Sequence, residues 1–172
     1  MEYETVQHEF PPVWDSASEV LILGSFPSVK SREEGFFYGH PQNRFWKVMA
    51  AITGQNVPIS VKEKKELLLT NHIAVWDVIQ SCRIKGSSDS SIRNVVPVNL
   101  KPLLEQSHIH RIYANGKTAE RLYNRYLLSQ TGCPVTVLPS TSPANAVWSL
   151  DQLIEVYKVL IHGTEGADWD RD

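Results

Sequence analysis

The sequence predicts an α/β protein: a three-layer α/β/α sandwich around a four-stranded, mainly parallel sheet. Three observations predict it. Short, mostly apolar runs at residues 20–24, 73–79, 110–115 and 134–138 have the length and β-branched content of buried strands. Apolar residues recur with helical spacing between and after them, as at 44–53, 62–70, 119–129 and 147–161. Alternation of the two makes neighbouring strands parallel and lays helices over both faces of the sheet. With 172 residues and 42% hydrophobic content, one domain with one good core is expected over 1–162.

Residues 1–19 read as an extended lead-in, because Pro11-Pro12 excludes a helix while Phe10, Val13 and Trp14 can pack on the domain. The first strand, Val-Leu-Ile-Leu, ends at Gly24-Ser25, where glycine permits close backbone approach and Pro27 stops strand pairing. A site is expected at that turn. The loop after it, Gly35-Phe-Phe-Tyr-Gly-His-Pro-Gln-Asn43, combines flat aromatic faces with a neutral amide, which suits a planar uncharged ligand such as a nucleobase. Phe45, Val48, Met49 and Ile52 then share one helical face, and Gly54 ends that helix.

Ser60 is placed to cap the helix at 62–70, and the small polar residues of 80–94 read as a surface loop. Asn99 introduces a short helix over 100–106. Gly116-Lys117-Thr118 lacks the upstream glycines of a phosphate loop and is only a turn into the next helix. In the last helix Leu150, Leu153, Ile154, Tyr157 and Ile161 are expected to face inward; residues 163–172 form an acidic tail expected to be disordered.

No run approaches the roughly 18 apolar residues of a membrane span, and no secretory signal opens the chain, so a cytoplasmic protein without membrane partners is expected. Cys82 and Cys133 lack metal-type spacing and point to reduced thiols. The net charge of −2 hides an asymmetry: residues 1–19 carry five acids and no Lys or Arg, and residues 163–172 carry four acids and one Arg. The body between them is left at +6, compatible with nucleic acid and equally with an ordinary solvated surface. His108 and His110 alternate as surface residues of a strand would; no cofactor and no metal are called for.

Three motifs, Gly24-Ser-Phe-Pro-Ser28, His40-Pro-Gln-Asn-Arg-Phe-Trp46 and Leu138-Pro-Ser-Thr-Ser-Pro-Ala-Asn145, together resemble the uracil-DNA glycosylase superfamily, most closely its hypoxanthine-DNA (deoxyinosine) glycosylase branch. The resemblance covers residues 18–162 and implies a strand order 2-1-3-4. It also implies a monofunctional enzyme, expected as a monomer, that hydrolyses the N-glycosidic bond of a deaminated base in DNA and leaves an abasic site. No lysine stands in the motifs to form a Schiff base.

The resemblance matches Asn43 to the branch's catalytic asparagine. An amide has no proton to exchange, but it can hold a water, which suffices where the bond breaks largely before attack. By position alone Asn43 could equally cap the following helix. Phe36, with Tyr38 next, is the candidate base-stacking face, against core packing. His40 is read either as an electrophile near the leaving base or as a turn residue before Pro41. Gly24, Ser25, Phe26 and Pro27 form the base-binding turn, where backbone N–H groups can hold a base carbonyl. Asp89 is a loop aspartate or an acceptor for a base N–H. Ser140, Thr141, Ser142 and Asn145 are candidate DNA-backbone clamps, against ordinary turn chemistry.

Two departures bear on substrate. Many relatives carry Asn or Asp where Phe26 stands, and His or Asn where Leu138 stands. Missing the second polar group favours hypoxanthine over uracil, since a purine anion spreads its charge over two rings. The alternatives are a mismatch-specific uracil/thymine glycosylase and a non-catalytic nucleotide-binding module.

Overall fold

The computed structural model describes residues 2–162; the expected acidic tail at 163–172 lies outside the described residues. Four strands form the parallel central sheet: β2 (Val20–Gly24), β3 (Ile73–Asp77), β6 (Arg111–Asn115) and β7 (Val135–Leu138), in the order β3-β2-β6-β7. This is the expected 2-1-3-4 arrangement. All five residues of β2 are buried because it is central and covered on both faces.

Side-chain alternation along β2 divides the core. Val20 and Ile22 point into one layer with Phe45, Val48, Met49, Leu153 and Tyr157; Leu21 and Leu23 point into the other with Leu103, Leu122 and Tyr123. The first layer holds α2 (Phe45–Thr53), α3 (Val61–Thr70), α7 (Leu150–Tyr157) and α8 (Val159–His162); the second holds α4 (Lys101–Glu105) and α5 (Lys117–Tyr126). Capping boxes start α3 at Ser60 with Glu63 and α7 at Ser149 with Gln152. The remaining helices are α1 (Val29–Glu34), absent from the sequence reading, and α6 (Leu128–Thr131), split from α5 by Leu127 where one helix was expected.

The expected loop at 80–94 is corrected. The loop is shorter than expected, residues 85–92 with a 3-10 turn at Asp89–Ser91; the rest is β4 (Ile79–Ile84) and the start of β5 (Arg93–Pro97), which with β1 (Glu4–Gln7) make a three-stranded antiparallel sheet, β1-β4-β5. Polar composition misled because only one side of β4 is buried, through Ile79, Cys82 and Ile84. The predicted strand 73–79 is likewise two strands, meeting at Val78. The lead-in is tied down at several points: β1 pairs with β4, Val13 bridges to Val75, and Phe10 and Val13 are buried.

The last helix faces the core differently from expectation. Its inward side is centred on Leu153, Tyr157 and Leu160, and Ile161 is left 38% exposed. Leu160→Ala should therefore lower stability by about 2–5 kcal/mol and Ile161→Ala by no more than about 1 kcal/mol, read from urea unfolding midpoints. Equal losses would put the inward face where the sequence placed it.

Candidate active site

A cavity of about 330 Å³ opens at the carboxyl ends of the parallel strands, near the lower end of the roughly 300–1,000 Å³ of small-ligand sites. Each strand delivers residues to it: Gly24 at the end of β2 with Ser25-Phe26 after it, Asp77 at the end of β3, Asn115 at the end of β6, and Ser140-Thr141 beyond β7. The aromatic loop closes it with Phe37, Tyr38, His40 and Asn43.

Asp77 is 4% exposed, and its Oδ2 lies 2.8 Å from Nε2 of His8, which the lead-in carries into the interior just after β1. A β-carbon on Gly24 would stand 2.4 Å from Asp77 Oδ1 and 3.2 Å from the Tyr38 hydroxyl, so only glycine lets β2 pass these groups. Tyr38 itself has φ 53°, a left-handed conformation that is strained for an aromatic residue. Its buried hydroxyl has no partner in hydrogen-bonding geometry among the described residues, and burial, then the Asp77 charge, holds the phenol well above its ordinary pKa, with the nearby Asn115 amide opposing the rise.

Asn43 is half-buried, and its Oδ1 accepts from the Phe45 N–H at 2.9 Å and from the Thr141 hydroxyl at 2.8 Å. Because a backbone N–H can only donate, these contacts fix the amide's orientation and leave Nδ2 as the group free of them. Arg44 and not Asn43 is the N-cap of α2, with no side-chain cap hydrogen bond, so the Asn43 contact with Phe45 is a turn of the chain leading into the helix. Thr141 is fully buried; its hydroxyl accepts from Asn115 Nδ2 at 3.1 Å, and its N–H donates to Asn115 Oδ1 at 3.0 Å. A chain of hydrogen bonds therefore runs from the end of β6 through Thr141 to Asn43.

Arg44 secures the same junction. Its guanidinium donates to the carbonyls of Thr141, Ser142, Asn145 and Trp148, binding the turn after β7 to the amino terminus of α2. Tyr157 holds the base of that turn through Pro139 O at 2.7 Å.

The other expected residues fall as follows. Gly24, Ser25, Phe26, Pro27, Tyr38, His40 and Asp89 all line the cavity. Phe36 does not: it is 3% exposed and packs among Phe10, Phe37 and Trp46, so the stacking role expected of it is corrected. One face of the Tyr38 ring is covered by Phe45, centroids 4.0 Å apart. Nδ1 of His40 accepts from the Gln42 N–H at 3.1 Å, which places the proton of the neutral ring on Nε2. Asp89 sits exposed at the rim, accepting from the Ser25 hydroxyl at 3.2 Å; desolvation by the neighbouring loops raises its pKa, while Ser25, Thr118 and Arg121 oppose the rise.

The expected phosphate clamps divide. Thr141, with no exposed surface, is out of reach of a phosphate, and the Asn145 amide donates to Ser140 O within its own turn and lines no part of the cavity. Ser140 and Ser142 line the cavity, each hydroxyl accepting from a backbone N–H two residues on.

Sequence reading missed His8, Asp77 and Asn115, and set Phe37 behind Phe36 and Tyr38 as a stacking face although Phe37 lines the cavity and Phe36 does not. For Asp77 and Asn115 a signal existed, a polar residue closing an apolar strand. For His8 there was none, since nothing local ties it to a strand some seventy residues away. Arg44→Lys should cost about 1–3 kcal/mol, because an ammonium cannot span four carbonyls, and should speed amide exchange over residues 141–148; unchanged exchange there would mean that Arg44 does not hold this turn.

Three comparisons bear on this site. Residues 11–161 match the model of the uracil DNA glycosylase superfamily. Similar curated proteins include the hypoxanthine DNA glycosylase of Methanosarcina acetivorans, 35% identical over 159 residues, which are 91% of this chain and 99% of the relative. Another is the hypoxanthine DNA glycosylase of Methanosarcina barkeri, 32% identical over 139 residues, 79% of this chain and 86% of the relative. Among solved structures, the solution NMR structure of a candidate uracil DNA glycosylase from Methanosarcina acetivorans aligns with a TM-score of 0.73 at 34% identity, covering 88% of this chain and 96% of that one. A matched family model over nearly the whole domain, and a parallel sheet whose carboxyl ends gather all three motifs around one cavity, establish that the chain belongs to the uracil DNA glycosylase superfamily.

Proposed function

We propose that this protein is a monofunctional DNA glycosylase that releases hypoxanthine from deaminated DNA, with uracil a weaker substrate. The two curated relatives support the substrate. The observation that carries the preference is the cavity's polar inventory. Leu138, where many relatives carry a donor for a departing pyrimidine, is 3% exposed in the core, whereas Asp77 brings a buried carboxylate to the cavity. A carboxylate only accepts, so it suits the N1–H of hypoxanthine, as it would the N3–H of uracil, and opposes adenine, whose N1 is itself an acceptor; the preference over uracil rests on Leu138.

In this reading the extruded base stacks on Phe26 and the free face of Tyr38, and Asp77 accepts its N–H. The C1′–N9 bond breaks with its electron pair going to the base, whose negative charge meets the Nε2–H of His40 and the backbone N–H groups of Ser25 and Phe26. Asn43 Nδ2 holds a water by one lone pair and leaves the other to attack C1′ of the oxocarbenium sugar. The water then loses a proton and the base gains one, giving free hypoxanthine and an abasic site. Among the described residues no lysine lines the cavity to trap the sugar covalently. Ser140 and Ser142 are left to meet phosphates at the rim.

Asn43→Ala should slow single-turnover hypoxanthine release by about 10²-fold or more, roughly 3 kcal/mol in the barrier, with modest loss of duplex binding. Thr141→Val, which leaves the amide in place but ungripped, should slow it less. Melting curves must accompany both, and a folded, fully active Asn43→Ala enzyme leaves that residue a purely structural role in the turn before α2.

On otherwise identical duplexes, inosine should be cleaved faster than uracil. Uracil released faster in every pairing context would instead favour a mismatch-specific uracil/thymine enzyme, and release of neither base a nucleotide-binding module without catalysis.

A further inference from the structure

The outward face of the small antiparallel sheet carries three cations around one aromatic ring. Arg93 lies 3.9 Å, Lys85 4.7 Å and Arg83 5.5 Å from the centre of the Tyr3 ring. Arg83 and Arg93 are direct cross-strand partners between β4 and β5, and Lys85 follows on the same side, two residues beyond Arg83. All three cations are exposed, and none makes an ion pair among the described residues. Like charges set directly opposite each other destabilise a sheet, and a single tyrosine face offsets only part of that repulsion. Folding alone gives no reason for the arrangement.

Its position supplies one. Lys85 is two residues from Ser87, which lines the cavity and whose hydroxyl accepts from the Val29 N–H, so at most about 7 Å of chain separates Lys85 from the rim and at most about 14 Å separates Arg83 from it. We infer that Arg83, Lys85 and Arg93 bind successive phosphates of the DNA strand flanking the extruded nucleotide, with Tyr3 as the platform that gathers their charged heads. A chain with an acidic amino-terminal segment and a net charge of −2 would thereby grip a polyanion through one local surface. This rests on the DNA reading above but not on which base is released.

The test is duplex binding across a salt series, with lesion-free and inosine-containing DNA of the same length. Arg83→Gln/Lys85→Gln/Arg93→Gln should lose ~10-fold or more in affinity for both, and log K against log salt should become shallower by ~3, about one per phosphate released. Arg83→Lys/Arg93→Lys keeps the charges and should keep the slope. Arg125→Gln, at the end of α5 away from the cavity, should leave it unchanged. Melting temperature should hold or rise in the glutamine variant as the repulsion disappears. An unchanged slope, or weakening confined to the inosine duplex, overturns the inference. Wild-type protein that binds through this surface but releases no hypoxanthine would instead overturn the proposed substrate and leave the surface standing.

Discussion

The Arg44 guanidinium reaches four backbone carbonyls between residues 141 and 148, and the rest of the site depends on that contact. Three of those carbonyls also accept a backbone N–H, Thr141 O from Arg44, Ser142 O from Asn145 and Asn145 O from Trp148, so the guanidinium adds a second tie to each and gathers the whole turn onto one side chain. Arg44 directly follows Asn43 and stands at the amino terminus of α2. One side chain thus fixes the distance between the second and third motifs, and the Asn43 amide is oriented by Thr141 because Arg44 holds Thr141 where it is.

On the opposite wall the governing constraint is a buried carboxylate. Asp77 cannot be left without a partner in a dry interior, and His8 provides one from a segment outside the α/β layers. The lead-in is held by β1, by the Val13 bridge and by the packing of Phe10, all of which bring His8 to this place. The antiparallel sheet therefore anchors the floor of the cavity and at the same time displays a basic face beside its rim.

The aromatic loop shows how packing distributes roles among similar residues. Phe36, Phe37 and Tyr38 are consecutive and each could stack on a base, yet Phe36 is absorbed into the core beside Trp46 while Phe37 and Tyr38 border the cavity. The left-handed backbone at Tyr38 turns its ring against Phe45, a conformation that surrounding contacts must hold in place.

The sequence by itself determined the layers and the place of the site. Apolar runs of strand length can be buried on both faces only if helices cover them, and a strand that ends in Gly24-Ser25 before a proline must open into a turn at the sheet's carboxyl edge. Motif residues adjacent in the chain, such as Gly24 to Pro27 and His40 to Asn43, were legible because local order carries them there together. Tertiary structure alone decided the rest: that both ends of 80–94 are strands of a second sheet, that Phe36 is core, that Thr141 points to Asn43 rather than to phosphate, and that His8 meets Asp77. Each of these is a contact between residues far apart in sequence, or a choice between two faces of one element. Composition and periodicity contain neither, because both are settled only when the packed layers compete for the same buried volume and the same hydrogen-bonding groups.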